Sequence, residues 1–203
     1  MRGRMDSRDV SRAIRARIRP RLKAAGFDRF TARTAWRFRG PAINLVNFQS
    51  FNSYIASGVG CTTFSFAVNL GLHYTFLPAF DNATFYGRDN LPREYHCAFR
   101  RALRKSLARE SFRRPEIWSV ETDGSNLDAC IDDAARVLET DAEPWFARLG
   151  DVKEALRVVE ADDETFEPSA PSGTWGFGRK GSPMWQHVIQ HLSAALDPAS
   201  RGP

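Results

Sequence analysis

A chain of 203 residues buries roughly 70 % of its unfolded surface on folding, enough for one self-sufficient core. Hydrophobic residues at 42 % and aromatics at 12 % exclude a disordered chain and lead us to expect one domain over residues 1–203, with 1–6 and 198–203 disordered. The net charge of +5 is the sum of segregated blocks, +10 over residues 1–40, +6 over 87–114 and −12 over 116–167, which make either two electrostatic poles or a self-neutralising pair.

The first element is a helix starting near Asp6 or Ser7, with Val10, Ile14, Ile18 and Leu22 at i+4 spacing and arginine on its other faces. Pro20 removes the hydrogen bond to the Ala16 carbonyl, so a kink or break is expected there before Gly26 closes the helix. The start of the chain lacks the apolar region of a secretory signal and no apolar run is long enough to span a bilayer. A cytoplasmic protein without a membrane partner is therefore expected.

Three strands follow. In "FTARTAWRFR" Thr34, Trp36 and Phe38 alternate with Arg33, Arg37 and Arg39, which predicts one apolar and one basic face. Gly40 and Pro41 make the turn into "AINLVNFQS", where Asn44, Asn47 and Gln49 stand among Ile43, Leu45, Val46 and Phe48. "SYIASGVG" reads as a loop. In "TFSFAVNLGLHY" the large residues Phe64, Phe66, Val68, Leu70 and Leu72 face one way, and Ser65, Ala67, Asn69 and Gly71 the other. A face of small residues leaves room for a ligand, a partner or another part of the same chain.

"LPREYHCAFRRALRKSLARESF" predicts a second basic amphipathic helix from about Pro92, with Tyr95, Phe99, Leu103 and Leu107 as its stripe. "EIWSVET" predicts a short strand anchored by Ile117 and Trp118. A helix capped by Ser125 follows, then Pro144 opening a turn that inserts Trp145 and Phe146, and a short helix over 151–160. A Pro/Gly/Ser-rich loop leads to a last helix, Met184 to Leu196, capped by Ser182.

Chemical motifs are few. "GFGRKG" (176–181) has the glycine spacing of a dinucleotide site, but only 22 residues follow it, too few for the required strand–helix–strand unit. Arg179, Lys180 and the amides of Gly181 and Ser182 at a helix start would favour an anion, or the segment is an ordinary loop. His187 and His191 at i, i+4 lie beside Gln186 and Gln190 on the polar side, the position of surface histidines rather than metal ligands. Acidic pairs such as Asp132 and Asp133 read as solvated faces. Cys61, Cys97 and Cys130, odd in number and far apart, read as buried thiols. No nucleophile elbow or Cys/His signature is present, and no cofactor is expected. Nucleic acid is a candidate partner through the arginines, without base-reading motifs and so non-specifically.

At "RIRPRLKAAGFDRFTARTAWRFR", "NLVNFQSF" and "TFSFAVNLGLHY" the chain resembles a bacterial family described as domain of unknown function 4304. The positions that carry the likeness are Leu22, Lys23, Gly26, Phe27, Trp36, Arg37, Val46, Gln49, Asn69, Leu70 and Gly71, with Phe51 where serine is more usual, and "PWF" at 144–146. The resemblance covers about residues 10–150. It implies an α+β fold with an antiparallel sheet, supplies no activity, and by analogy favours a partner-binding or immunity-type protein. Together these readings predict an antiparallel sheet of about four strands, an N-terminal helix and a mostly helical C-terminal half. They predict a non-enzymatic binding module that meets a protein or anionic partner through Asn47, Gln49 and Asn69 and through Arg33, Arg37 and Arg39, with Arg179 and Lys180 as a further anion contact.

Overall fold

The computed structural model describes residues 5–77, 91–107, 114–161 and 180–197. It is an α+β fold with a six-stranded sheet: β1 (Arg29–Phe30), β2 (Thr34–Arg39), β3 (Ala42–Ser50), β4 (Phe66–Tyr74) and β5 (Phe99–Ala102) in that order, with β6 (Ile117–Trp118) also paired to β4. Two strands more are present than the four expected. Two compact units share the chain, one of residues 1–37, 46–69 and 102–143 and one of 38–45, 70–101 and 144–203.

The first unit begins with α1 (Ser7–Ala13), a π-helical segment (Ile14–Ile18) and α2 (Arg19–Ala24). Asp6 caps it in a reciprocal box with Asp9; residues 1–4 and 198–203 lie outside the described residues. Val10, Ile14, Ile18 and Leu22 are all buried. Four residues advance about 40° past a full turn of a regular helix, and the wider π turn takes back part of that drift.

The same π turn answers Pro20. Proline donates no hydrogen bond and its ring crowds the carbonyl four residues back; here the preceding Arg19 amide bonds to the Ile14 carbonyl, five back. The helix continues where a break was expected. It ends in a Schellman motif: Gly26 at φ 90° lets the Phe27 amide reach the Leu22 carbonyl at 2.9 Å.

α3 (Ser53–Val59) replaces the predicted loop. The Asn52 side chain caps its start at 2.8 Å from the Ile55 amide, and Gly60 at φ 81° closes its end. α4 (Leu127–Val137) runs into a second π segment (Leu138–Ala142), which again ends two residues before a proline, Pro144. Ser125 is not the cap of α4; Asn126 takes that position and spends its side chain on the Glu121 amide and the Ser119 carbonyl.

Over the described residues 92–107 the predicted basic helix is absent, and the rest of its predicted span lies outside the described residues. Residues 94–96 form a single 3-10 turn, and Phe99–Ala102 form β5. α5 (Glu143–Gly150), α6 (Val152–Ala161) and α7 (Pro183–Leu196) complete the chain. Pro144 lies in the first turn of α5, which buries Trp145 and Phe146. The Tyr74 hydroxyl donates to the Leu149 carbonyl, and Trp185 of α7 donates to the Val159 carbonyl of α6 at 3.2 Å.

β4 is buried on both faces, with Asn69 the exception at intermediate exposure. At Gly71 the small face is filled by the chain itself, because a Cβ there would sit 2.6 Å from Cys97 Sγ. Gly71→Ala should therefore destabilise the protein by about 1–3 kcal/mol through overpacking, read as a lower urea midpoint at unchanged slope. Burial, with His96 nearby, holds the buried His73 imidazole neutral down to about 4. Its folded value lies below the unfolded one, near 6.5, so the unfolded chain takes up the proton first. Stability should be full above about pH 6.5 and fall by up to about 3 kcal/mol as pH drops towards 4, while the His73 NMR signals show no protonation between pH 7 and 5.

Candidate functional site

Alternation along the strands puts Thr34, Asn47, Gln49 and Asn69 on one sheet face of the first unit. The pairing of β2 with β3 is fixed where the Phe48 amide bonds to the Arg33 carbonyl at 2.8 Å. Asn47 Nδ2 then donates to Thr34 Oγ1 at 3.0 Å, and Asn69 Nδ2 donates to Gln49 Oε1 at 2.7 Å. Thr34 is buried, Asn47 and Asn69 are half-buried, and Gln49 is exposed. These amides orient one another and still leave donor and acceptor capacity facing outwards. β3 ends at Ser50, and α3 starts three residues later with Tyr54 86 % and Ile55 41 % exposed.

The arginines part company. Arg37 is buried, 5 % exposed, donating to the Ala25 carbonyl at 2.6 Å and to Glu143 at 2.8 Å, and its guanidinium lies 4.7 Å over the Phe27 ring. Of the expected basic face of β2, Arg37 is thus internal and holds the end of α2 to Glu143, while Phe38, predicted inward, is 43 % exposed. Arg39 is exposed in the second unit. Arg33 is half-buried in a groove against the first helical segment, and burial lowers its pKa from the ordinary arginine value. Lys180 donates to the Glu160 carbonyl at 3.2 Å in the last turn of α6, where a cation meets the negative helix end. Arg179 lies outside the described residues.

The acidic block meets the basic one within the first unit. Arg17 pairs with both Asp128 and Asp132 of α4, and Arg21 pairs with Glu139 at 2.9 Å. Asp133 is buried rather than solvated, accepting from the Ser106 amide and hydroxyl, Trp118 Nε1 at 3.0 Å and Arg136 at 2.6 Å. Burial pushes its pKa up, but these donors outweigh it and hold the carboxyl below the ordinary aspartate value. Its role is to tie the 102–107 segment and β6 to α4.

Elsewhere the chemical groups are closed off or isolated. Cys97 is buried and its thiol pKa is driven up by burial, then by Glu94, which makes it inert as a nucleophile. Cys130 is buried and Cys61 half-buried, and none of the three is in a disulfide. His187 and His191 contact each other at 4.4 Å between ring centres, and among the described residues no group of three His, Cys, Asp or Glu is placed to hold a metal.

Sequence reasoning missed Tyr54 and Ile55, although Asn52 and Gly60 flank them at capping distance. It also missed that Arg15 and Arg19 share a flank of the helix distinct from that of Arg17 and Arg21, a division readable from the two-residue offset. Arg37→Met should cost about 2–3 kcal/mol in thermal or urea unfolding, below the full penalty for a broken buried pair because Glu143 is part-exposed.

No curated protein and no solved structure matches the chain. A family model matches residues 18–148, a span that holds the Schellman turn at Gly26, buried Arg37, the amide pair Gln49–Asn69 and the close approach at Gly71. The chain belongs to the family described as Domain of unknown function (DUF4304).

Proposed function

We propose that this chain is a bacterial, cytoplasmic, immunity-type binding module that recognises a partner protein through its first unit, using Asn47, Gln49, Asn69 and the α3 residues Tyr54 and Ile55. The observation that carries this reading is Tyr54, a large ring 86 % exposed on a helix fixed at both ends by Asn52 and Gly60. A held aromatic loses little entropy on contact and is the usual anchor of a protein interface. The amides of β3 and β4 supply hydrogen bonds of either sense, and three cysteines outside any disulfide suit a reducing compartment. Among the described residues no helix is long and apolar enough to cross a membrane.

Nucleic acid is the weaker reading because Arg17 and Arg21, in the densest arginine run, already face carboxylates. Phosphate binding there would compete with those pairs.

A photo-crosslinking amino acid at position 54, introduced in the producing bacterium, should trap one partner, whose affinity is then measured with purified proteins. Tyr54→Ala should weaken that affinity about tenfold or more, and Asn69→Ala by a few-fold, with the circular dichroism spectrum unchanged. Unaltered affinity in both variants would overturn the reading. So would tight binding to duplex DNA that falls steeply between two salt concentrations.

A further inference from the structure

The helix that opens the first unit carries a second basic flank. Arg8, Arg12, Arg15, Arg19 and Lys23 follow one another at steps of four, three, four and four residues, the spacing that keeps side chains on one flank of a helix, here over roughly 20 Å. Arg8, Arg12, Arg15 and Lys23 are exposed and Arg19 is half-buried. Arg33 joins them from the β1–β2 hairpin, its Nη2 reaching the Ser7 carbonyl at 3.5 Å. Among the described residues the carboxylate that pairs with this flank is Asp9, 3.0 Å from Arg12. Like charges a turn apart repel one another, and an anionic partner relieves that repulsion.

The opposite flank of the same helix shows what such a partner looks like. There Arg17 and Arg21, spaced as Arg15 and Arg19 are, meet Asp128, Asp132 and Glu139, carboxylates at steps of four and seven along α4 and the π segment after it. Between the two flanks the crest of the helix is small and exposed, with Ala16, Pro20 and Ala24, so a neighbouring backbone can come close. Arg19 is already held 4.3 Å over the Phe30 ring and Arg33 by Ser7, and cations held in place lose little freedom on contact.

Carboxylates also close off the ends of the flank. Asp6 and Asp9 stand at the start of the helix, and exposed Asp28 lies just past its end. A phosphate backbone running on past either end would be repelled there. An anionic segment of about four helical turns would fit between them.

We propose that this flank docks an acidic helix of a partner protein, one with carboxylates a turn apart along one face, in the way α4 docks on the other flank. The contact is separate from the one at Tyr54 and does not depend on it. Complementary charge of this kind sets orientation and partner choice more than raw affinity.

The probe is a stapled helical peptide with Glu at steps of four, three and four residues along one face. An isomer of the same composition with those Glu spread around the helix, and a short DNA duplex, serve as comparisons at matched ionic strength. The one-faced peptide should bind the full chain saturably, more weakly as salt is raised, and shift the Arg15 and Arg19 Nε–H signals in NMR spectra. Arg15→Gln and Arg19→Gln should each weaken it about two- to fivefold, the double variant about tenfold, and Arg12→Gln less because Asp9 already holds that side chain. Unfolding curves identify any variant that fails to fold, and the Nε–H shifts of the unaltered protein then decide. Tyr54→Ala should leave peptide binding unchanged; a loss there would assign the peptide to the other surface and overturn the proposal. Equal binding of the isomer would show a merely diffuse charge, and tighter binding of the duplex a nucleic-acid surface. Either result, or the lack of any saturable shift, overturns it as well.

Discussion

The arginines of the first helical segment are partitioned by the helix itself. Val10, Ile14, Ile18 and Leu22 must be buried, and this fixes which way every other position points. Arg17 and Arg21 fall on one flank, where α4 and the π segment after it present Asp128, Asp132 and Glu139. Arg15 and Arg19 are displaced from them by two residues, about 200° around the axis, and fall on the other flank beside the β1–β2 hairpin. Among the described residues one pair meets carboxylates and the other does not, although both have the same composition and spacing. The −12 block therefore divides the positive charge into structural and available parts rather than cancelling it evenly.

Much of the scaffold was legible because it rests on local rules. The i+4 stripe, the Gly26 cap, the Gly40–Pro41 turn, the Ile117–Trp118 strand and the Ser182 cap each follow from a few neighbouring residues. The segment from Pro92 failed because its apolar spacing suits a helix while its partner is remote. Phe99–Ala102 joins the sheet, and just beyond it the Leu103 amide bonds to the Val68 carbonyl at 2.9 Å, so tertiary pairing overrides local preference. Asp133 failed for a related reason. Nothing near it in the chain announces Ser106 and Trp118, the donors that make a buried carboxylate tolerable.

The candidate surfaces show the same contrast. Arg33, Arg37 and Arg39 look alike as alternating residues of one strand, yet Arg37 is an internal strut, Arg33 edges a groove, and Arg39 is exposed. Strand alternation gives the face of a residue but not what covers that face. The amides keep to the face that alternation gives them: Asn47 pairs with Thr34 and Gln49 with Asn69 across strands, and their exposure distinguishes them from Asn44, which is buried on the opposite face.

The two π segments carry one further implication. Each fits an extra residue into its turn compared with a regular helix, so it acts as a rotational spacer placed two positions ahead of a proline. Were the same residues wound as a regular helix instead, everything downstream would swing by roughly 100° about the axis. In the first helix this would carry Leu22 out of the core and turn Arg21 away from Glu139. Loss of one residue within the turn would restore regular winding with the downstream faces still in register, so the π turn is the place where this helix can shorten by one residue and keep Leu22 in the core.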